Sequence, residues 1–318
     1  MEKMLTVSSS PHVRAKHTTK SIMLDVIIAL MPTLVAGIYF YGIRALLVTT
    51  LSVICCVVFE WGWEKIFKRP STIGDLSAVV TGVLLAFNMP VGVPVYAIVV
   101  GAFIAIIFAK QIFGGMGQNF VNPALAGRAA LLAAYPTAMR TFTVPIPGKF
   151  VADAVTGATP LELMKNELYD QMPTLFDAFV GNIGGCIGEA SALALLIGGI
   201  YLLVRRVIKW HIPVFYLGTI FLMTLIFGGV GVTISFMSLF LGGVMLGAFF
   251  MATDYTTTPM TIKGQIIFAI GAGIITVVIR LWGGYPEGVS YSILLMNLTV
   301  PLIDRYIKQK RFGGGKVA

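Results

Sequence analysis

The sequence predicts an all-α, polytopic membrane protein, and three observations carry that prediction. Hydrophobic residues make up 57% of the 318-residue chain against 12% charged, and the mean hydropathy is +0.88, unlike the mixture of a water-soluble domain. About ten apolar stretches approach the roughly 20 residues that a helix rising 1.5 Å per residue needs to cross a hydrocarbon core of about 30 Å. None of these stretches alternates apolar and polar residues as a strand would, so a helical bundle is expected rather than a barrel.

Residues 1–21 form a polar, basic leader without a cleavable signal pattern, expected to be cytoplasmic. Five spans follow at about 22–42, 45–66, 73–90, 93–112 and 119–135, a first five-helix repeat over 22–135. A long loop, 136–186, leads to five more spans at about 187–206, 212–230, 235–253, 262–282 and 288–307, a second repeat over 187–307, before a basic tail at 308–318. Because five is odd, the second group enters the membrane from the opposite side, giving two inverted five-helix repeats. In each group the third span is interrupted by glycine. Gly74–Pro90 contains Gly82 and closes on Asn88-Met89-Pro90, while Phe236–Pro259 contains Gly242, Gly243 and Gly247 and runs through Thr253-Asp254. Broken third helices in two halves point to a central site. The alternative is that the glycines let helices pack closely, which suits Gly243 and Gly247.

Ten crossings put both termini on one face. That face takes 17 of the 23 Lys and Arg residues. The opposite face takes five (Arg44, Arg140, Lys149, Lys165 and Arg280), and Arg128 lies inside a span. Basic residues favour the cytoplasmic side, so both termini are expected there and the 136–186 loop is expected to be extracytoplasmic. Spread over short turns, the same charges make no basic face, and despite a net charge of +9 no nucleic-acid partner is expected.

Arginine near the middle of a span costs roughly 2.5–3.5 kcal/mol on insertion scales, so Arg128 requires compensation. Either a carboxylate on a neighbouring helix supplies it, or Arg128 joins Asn119 and Asn122 in binding a group whose carbonyl or phosphate oxygens suit a guanidinium fork. Asp25, Glu60, Glu64, Asp75, Glu189 and Asp254 fall near span ends and read as interface or helix-end charges. Asp75 and Asp254 stand out for flanking the broken spans. Cys55, Cys56 and Cys186 are too few and too poorly spaced for a metal centre, with the adjacent pair on different helix faces. They read as buried small hydrophobes, the other option being a cluster shared with another subunit. His12, His17 and His211 have no metal-site spacing, and Trp61, Trp63, Trp210, Trp282, Tyr285 and Tyr291 gather at span ends as an interfacial belt.

Within the long loop runs Asp153-Ala-Val-Thr156-Gly157-Ala158-Thr159-Pro160-Leu-Glu162. Thr159 as N-cap, proline at the first helical position and glutamate three residues after the cap spell a helix start. The same stretch, as Asp-x-x-Thr-Gly-Ala-Thr, resembles the covalent flavin-attachment motif of the D subunit of Rnf ion-translocating oxidoreductases and of a relative, the B subunit of sodium-pumping NADH:quinone oxidoreductase. The resemblance extends to Ser9-Ser10-Pro11-His12, to Gly74-Asp75-Leu76-Ser77-Ala78-Val79-Val80-Thr81-Gly82, to Asn122-Pro123-Ala124-Leu125-Ala126-Gly127-Arg128, and to Ala252-Thr253-Asp254. Thr156 stands where serine is commoner, a change between small hydroxyl residues.

The resemblance implies FMN joined to Thr159 by a phosphoester, with Asp153, Thr156, Gly157 and Ala158 completing the motif, and it makes a flavin ring or phosphate the group expected at Arg128, Asn119 and Asn122. It also implies attachment by a separate flavin transferase on the extracytoplasmic side, in agreement with the charge count, and a second, non-covalent riboflavin. Partner subunits carrying FMN and iron-sulfur centres, in a bacterial plasma membrane, would couple electron transfer between ferredoxin and NAD to movement of Na+ or H+. A helix N-terminus favours a phosphate and Gly157 permits close approach. No dinucleotide fingerprint occurs, which leaves NADH and ferredoxin to other subunits. Two further classes fit parts of the sequence. The first is a channel or secondary transporter for a small polar solute, since the family fold resembles urea-transporter architecture. The second is a structural scaffold, which would be colourless. Neither needs the Thr159 loop.

Overall fold

The computed structural model describes residues 18–145 and 157–308, and these are helical wherever they are regular. Helix α1 (Thr19–Tyr41) opens on a capping box, with Thr18 Oγ1 accepting from Ser21 N and Ser21 Oγ accepting from Thr18 N, both at 3.2 Å. Gly42, at φ +74°, lets the chain turn straight into α2 (Ile43–Ile66). Helices α1, α2 and α13 (Ile262–Trp282) are long and apolar enough to cross a bilayer. The other apolar helices are shorter: α3 (Ser77–Phe87), α4 (Val95–Phe103, continuing as a π-helical stretch over Ile104–Gln111), α5 (Pro123–Ala134), α9 (Ala192–Val204) and α10 (His211–Phe227). Helix α14 (Val289–Tyr306) closes the bundle.

The loop expected at 136–186 holds three short helices, α6 (Pro136–Arg140), α7 (Pro160–Lys165) and α8 (Leu175–Val180). Part of it lies outside the described residues.

Helix α2 packs on α3 and α4, and α4 on α5. In the second half α10 packs on α13, and α13 on α14. The halves meet where α1 runs along α9 and where α5 touches α14. A hydroxyl chain ties the second half, with Tyr216 3.0 Å from Thr276 and Thr276 2.7 Å from Ser292. Outward-facing Leu24, Ile28, Val35, Leu47, Ile54, Ile197 and Val204 are exposed, giving the bundle the apolar exterior that lipid tails require.

Both expected third spans are incomplete helices. At 11 residues α3 is about 16 Å long, half a hydrocarbon core. It stops at Asn88, and helix resumes only at Val95. The second is split into α11 (Val232–Met237) and α12 (Val244–Leu246, continuing as a π-helical stretch over Gly247–Met251), with Gly242 at φ +66° in the break. Gly82 does not interrupt its helix. It sits inside α3 so that α2 can press against it: a Cβ there would meet Val53 Cα at 2.6 Å, and Ser52 Oγ donates to Gly82 O at 2.8 Å.

Candidate functional site

Helix α5 positions the first group. Asn122 caps it, its Oδ1 accepting from Ala124 N at 3.1 Å and Leu125 N at 3.3 Å, with Pro123 at the first helical position. Arg128 therefore lies in the second turn, buried, where Nη1 donates to Asn88 Oδ1 at 2.6 Å. Nη2 forms an ion pair with Glu287 and stands 3.7 Å from Cys186 Sγ and 4.0 Å from Glu189 Oε1. The compensation expected for Arg128 is thus a carboxylate, drawn from the Gly283–Gly288 segment that enters α14 and not from a helix.

Thr159 caps α7 as expected. Its Oγ1 accepts from Glu162 N at 3.3 Å while Glu162 Oε2 accepts from Thr159 N at 3.1 Å. Thr159 and Arg128 share the lining of a recess of about 40 Å³ with Arg140, Glu189, Tyr285 and Glu287. Arg140 lies over the Tyr285 ring, 4.8 Å from its centroid. Helix α7 has only six residues, so positive charge here comes mainly from guanidinium groups and little from a helix dipole. Gly157 and Ala158 are exposed beside it, and Gly157 N donates to Phe142 O at 3.3 Å. Asp153 and Thr156 lie outside the described residues.

Asn119 and Asn122 do not join this recess. They line a larger cavity of about 320 Å³, walled by α1, α3 and both π-helical stretches, which contribute Lys110, Phe249 and Phe250. Asn122 Nδ2 donates to Met251 O at 3.4 Å and Asn119 Nδ2 to Val121 O at 3.1 Å. Asp254 also lines the cavity. Its carboxylate accepts hydrogen bonds from the Thr256 (3.0 Å) and Thr257 (3.3 Å) hydroxyls.

Beside this cavity lies a polar network that sequence reasoning missed. Lys110, near the end of the expected 93–112 span and counted among the 17 charges of the cytoplasmic face, is 2% exposed and grips both Glu60 oxygens at 2.9 and 2.8 Å and Ser77 Oγ at 2.6 Å. Ser77 donates in turn to Asp75 Oδ1 at 2.6 Å, and Thr72 Oγ1 bridges Glu60 (2.9 Å) and Glu64 (2.5 Å). Glu60 and Glu64, expected as interface or helix-end charges, are buried, because the last turns of α2 pack inside the bundle. Asp25 is buried too, paired to Arg205 at 3.2 Å and Tyr201 at 2.9 Å. Arg280, counted with the outer charges, is buried and donates to Ser238 O at 2.9 Å and Leu241 O at 2.8 Å. Lys110 and Arg280 leave the charge tally from opposite sides, so the bias keeps its sign.

Residues 6–313 match the NQR2, RnfD, RnfE family. The chain belongs to that family. It is 55% identical to the D subunit of the Na+-translocating ferredoxin:NAD+ oxidoreductase complex of Acetobacterium woodii, over 98% of this chain and 96% of the relative. It is 46% identical to the D subunit of the proton-translocating ferredoxin:NAD+ oxidoreductase complex of Clostridium ljungdahlii, again over 98% and 96%. To the D subunit of the ion-translocating oxidoreductase complex of Halorhodospira halophila it is 35% identical, over the same shares.

In this member of the NQR2, RnfD, RnfE family, Cys56 and Cys186 are buried and Cys55 is half-buried on α2, all three as free thiols. His211 stacks on Trp210 at the start of α10, while His12 and His17 fall outside the described residues. Trp61, Trp210 and Trp282 are exposed at helix ends.

Proposed function

We propose that the chain is the membrane-embedded D subunit of an ion-translocating ferredoxin:NAD+ oxidoreductase complex, carrying electrons through FMN joined to Thr159 and coupling their passage to Na+ or H+ movement. The observation that carries the proposal is the position of Thr159, which lines a recess together with Arg128 and Arg140. Two of the relatives named above are D subunits of ferredoxin:NAD+ oxidoreductase complexes, one named as Na+-translocating and the other as proton-translocating.

The residues fit the phosphate better than the whole cofactor. A recess of about 40 Å³ accepts a phosphate between Arg128 and Arg140 but not a three-ring flavin, which is left outside it, accessible to another subunit. A second flavin, the non-covalent riboflavin, suits the 320 Å³ cavity, where Phe249 and Phe250 offer faces for stacking and Asn119 and Asn122 offer hydrogen bonds. Flavin supplies one- and two-electron redox chemistry when bound. The chain supplies position, exclusion of water and compensating charge. Arg128 joins the recess to Asn88, where α3 breaks off, and Asn122 bonds to Met251 of the other broken span. Negative charge gained at Thr159 therefore pulls on a guanidinium that holds one break and belongs to the helix whose cap holds the other, and we take this as the coupling route to an ion path.

The two inverted five-helix repeats belong to the same proposal. In each half the second helix packs on the fourth and the fourth on the fifth. In each, the fourth helix ends in a buried cation reaching back to the broken third: Lys110 to Ser77, and Arg280 to Ser238 and Leu241. The charge bias supports a reading in which both termini lie in the cytoplasm of a bacterial cell and Thr159 lies outside, where a flavin transferase would act. Subunits carrying FMN and iron-sulfur centres complete the electron path. A channel for a polar solute fits less well, since the large cavity is walled chiefly by apolar side chains.

Mass spectrometry of the peptide containing Thr159, from complex made in its native cell, tests the proposal. The expected mass is the peptide plus FMN less one water, with a fluorescent band in a denaturing gel that Thr159→Val abolishes. A bare peptide from an active complex overturns it.

A further inference from the structure

The Thr159 recess holds more acid than its hydrogen bonds account for. Glu287 is ion-paired to Arg128, and its Oε1 accepts from Gly243 N at 3.0 Å. Glu189 Oε2 accepts from Cys186 N at 3.2 Å. Glu189 Oε1 has no donor at all. It is buried, on a side chain 7% exposed, and the nearest Arg128 nitrogen stops 4.0 Å away. The two carboxyl groups converge on Arg128 Nη2 and on Gly243: a Cβ built at Gly243 would lie 2.7 Å from Glu287 Oε1 and 3.5 Å from Glu189 Oε1. Two ionised carboxylates at such range repel, and a buried oxygen without a donor is strongly unfavourable. One proton removes both faults, because a protonated carboxyl donates where a carboxylate can only accept.

We propose that Glu189 and Glu287 form a proton-binding site, a carboxyl pair that holds a single proton beneath the Arg128 guanidinium and faces the Thr159 recess. With that proton the pair carries one negative charge, which Arg128 cancels. The ligand is a proton and not a metal cation: the guanidinium fills the position a cation would need, and among the described residues no group of three or more metal-type side chains exists.

The other groups facing the pair are Cys186 from the turn before α9, Arg140 from α6, Tyr285 from the segment before α14, Tyr41 from the end of α1 and Arg280 from α13. The Tyr41 hydroxyl donates to Ile183 O and Gly185 O, and both Arg280 terminal nitrogens donate to backbone carbonyls, so neither supplies the missing donor. The rival arrangement has both carboxylates ionised and Arg280 balancing the second charge at longer range. The inference requires no particular group on Thr159.

Infrared spectroscopy of the purified complex in H2O and D2O distinguishes the two arrangements. The expected result at neutral pH is a protonated-carboxyl C=O band that shifts in D2O and disappears in Glu189→Gln and in Glu287→Gln alike, since either carboxylate left alone pairs with Arg128 and needs no proton. A band retained in both variants, or lost in only one, overturns the shared proton, as does a wild type without such a band. Should the glutamine variants fail to assemble, Glu189→Asp keeps the pair and is expected to move the band, and an unmoved band overturns the assignment. Thr159→Val is expected to leave the band in place, so failure of the flavin proposal and failure of this one are read separately.

Discussion

Replacing Lys110 by methionine keeps most of the side-chain volume and removes the charge, which isolates what the ammonium does. In the native protein its nitrogen contacts both Glu60 oxygens and Ser77 Oγ at a position 2% exposed, opposite a glutamate with no exposure. Without it, Glu60 keeps one hydrogen bond, from Thr72 at 2.9 Å, and stands as an uncompensated buried charge. Breaking a buried pair in this way costs about 3–5 kcal/mol. Protonating a glutamic acid of ordinary acidity at pH 7 costs about 3.7 kcal/mol, and this sets a ceiling because the variant can always escape by that route. The expected destabilisation is therefore about 3–4 kcal/mol at pH 7. It should shrink by about 1.4 kcal/mol for each unit the pH is lowered, until protonation is free. Thermal unfolding of the purified complex, followed by tryptophan fluorescence between pH 5 and 8, measures it. The double variant Lys110→Met/Glu60→Gln should recover most of the loss, since neutral partners of similar volume replace a buried pair at little cost. A loss that does not change with pH, or that the second substitution fails to relieve, would show that Lys110 matters for packing and refute the ion-pair reasoning.

Three other outcomes are expected. Thr159→Val should abolish the fluorescent band and redox-driven ion uptake into vesicles, and uptake at the full rate would contradict the coupling role. Arg128→Leu should cost about 3–5 kcal/mol of stability by stranding Glu287 and Asn88, and should lower flavin content; a wild-type flavin stoichiometry and electron-transfer rate would remove Arg128 from the site. Gly82→Ala should cost about 1–3 kcal/mol and part α2 from α3, because its methyl would meet backbone at 2.6 Å; an unchanged melting temperature would show that the crossing is looser than the geometry indicates.

The fold class was legible because lipid replaces water as the outer solvent, and composition alone records that exchange. The helix interruptions were legible too, although one was attached to the wrong residue. Gly82 looks like a break in a string of letters and is instead a contact, whereas the break falls at Asn88. The grouping of Arg128 with Asn119 and Asn122 failed for a geometric reason. Six residues of helix separate Asn122 from Arg128, about 9 Å along the axis, enough to put them in different cavities. The pairs that matter most, Lys110 with Glu60 and Arg128 with Glu287, join positions 50 and 159 residues apart. A lysine closing an apolar run and a glutamate in a glycine-rich turn look like surface charges until the chain is folded. Thr159, by contrast, was readable because cap, proline and glutamate are neighbours in sequence, so the local motif alone fixes its geometry.

The pair of π-helical stretches has a mechanical consequence. Each is an α-helix carrying surplus chain within one coil, and a coil that expels its surplus turns everything beyond it by about 100°. Ile104–Gln111 carries Lys110, and Gly247–Met251 carries Phe249 and Phe250, all three lining one chamber. Slippage of a single residue in either stretch would swing an ammonium or an aromatic face out of that space while its ends stayed anchored. The bundle thus has two ratchets of one-residue pitch lining the same chamber.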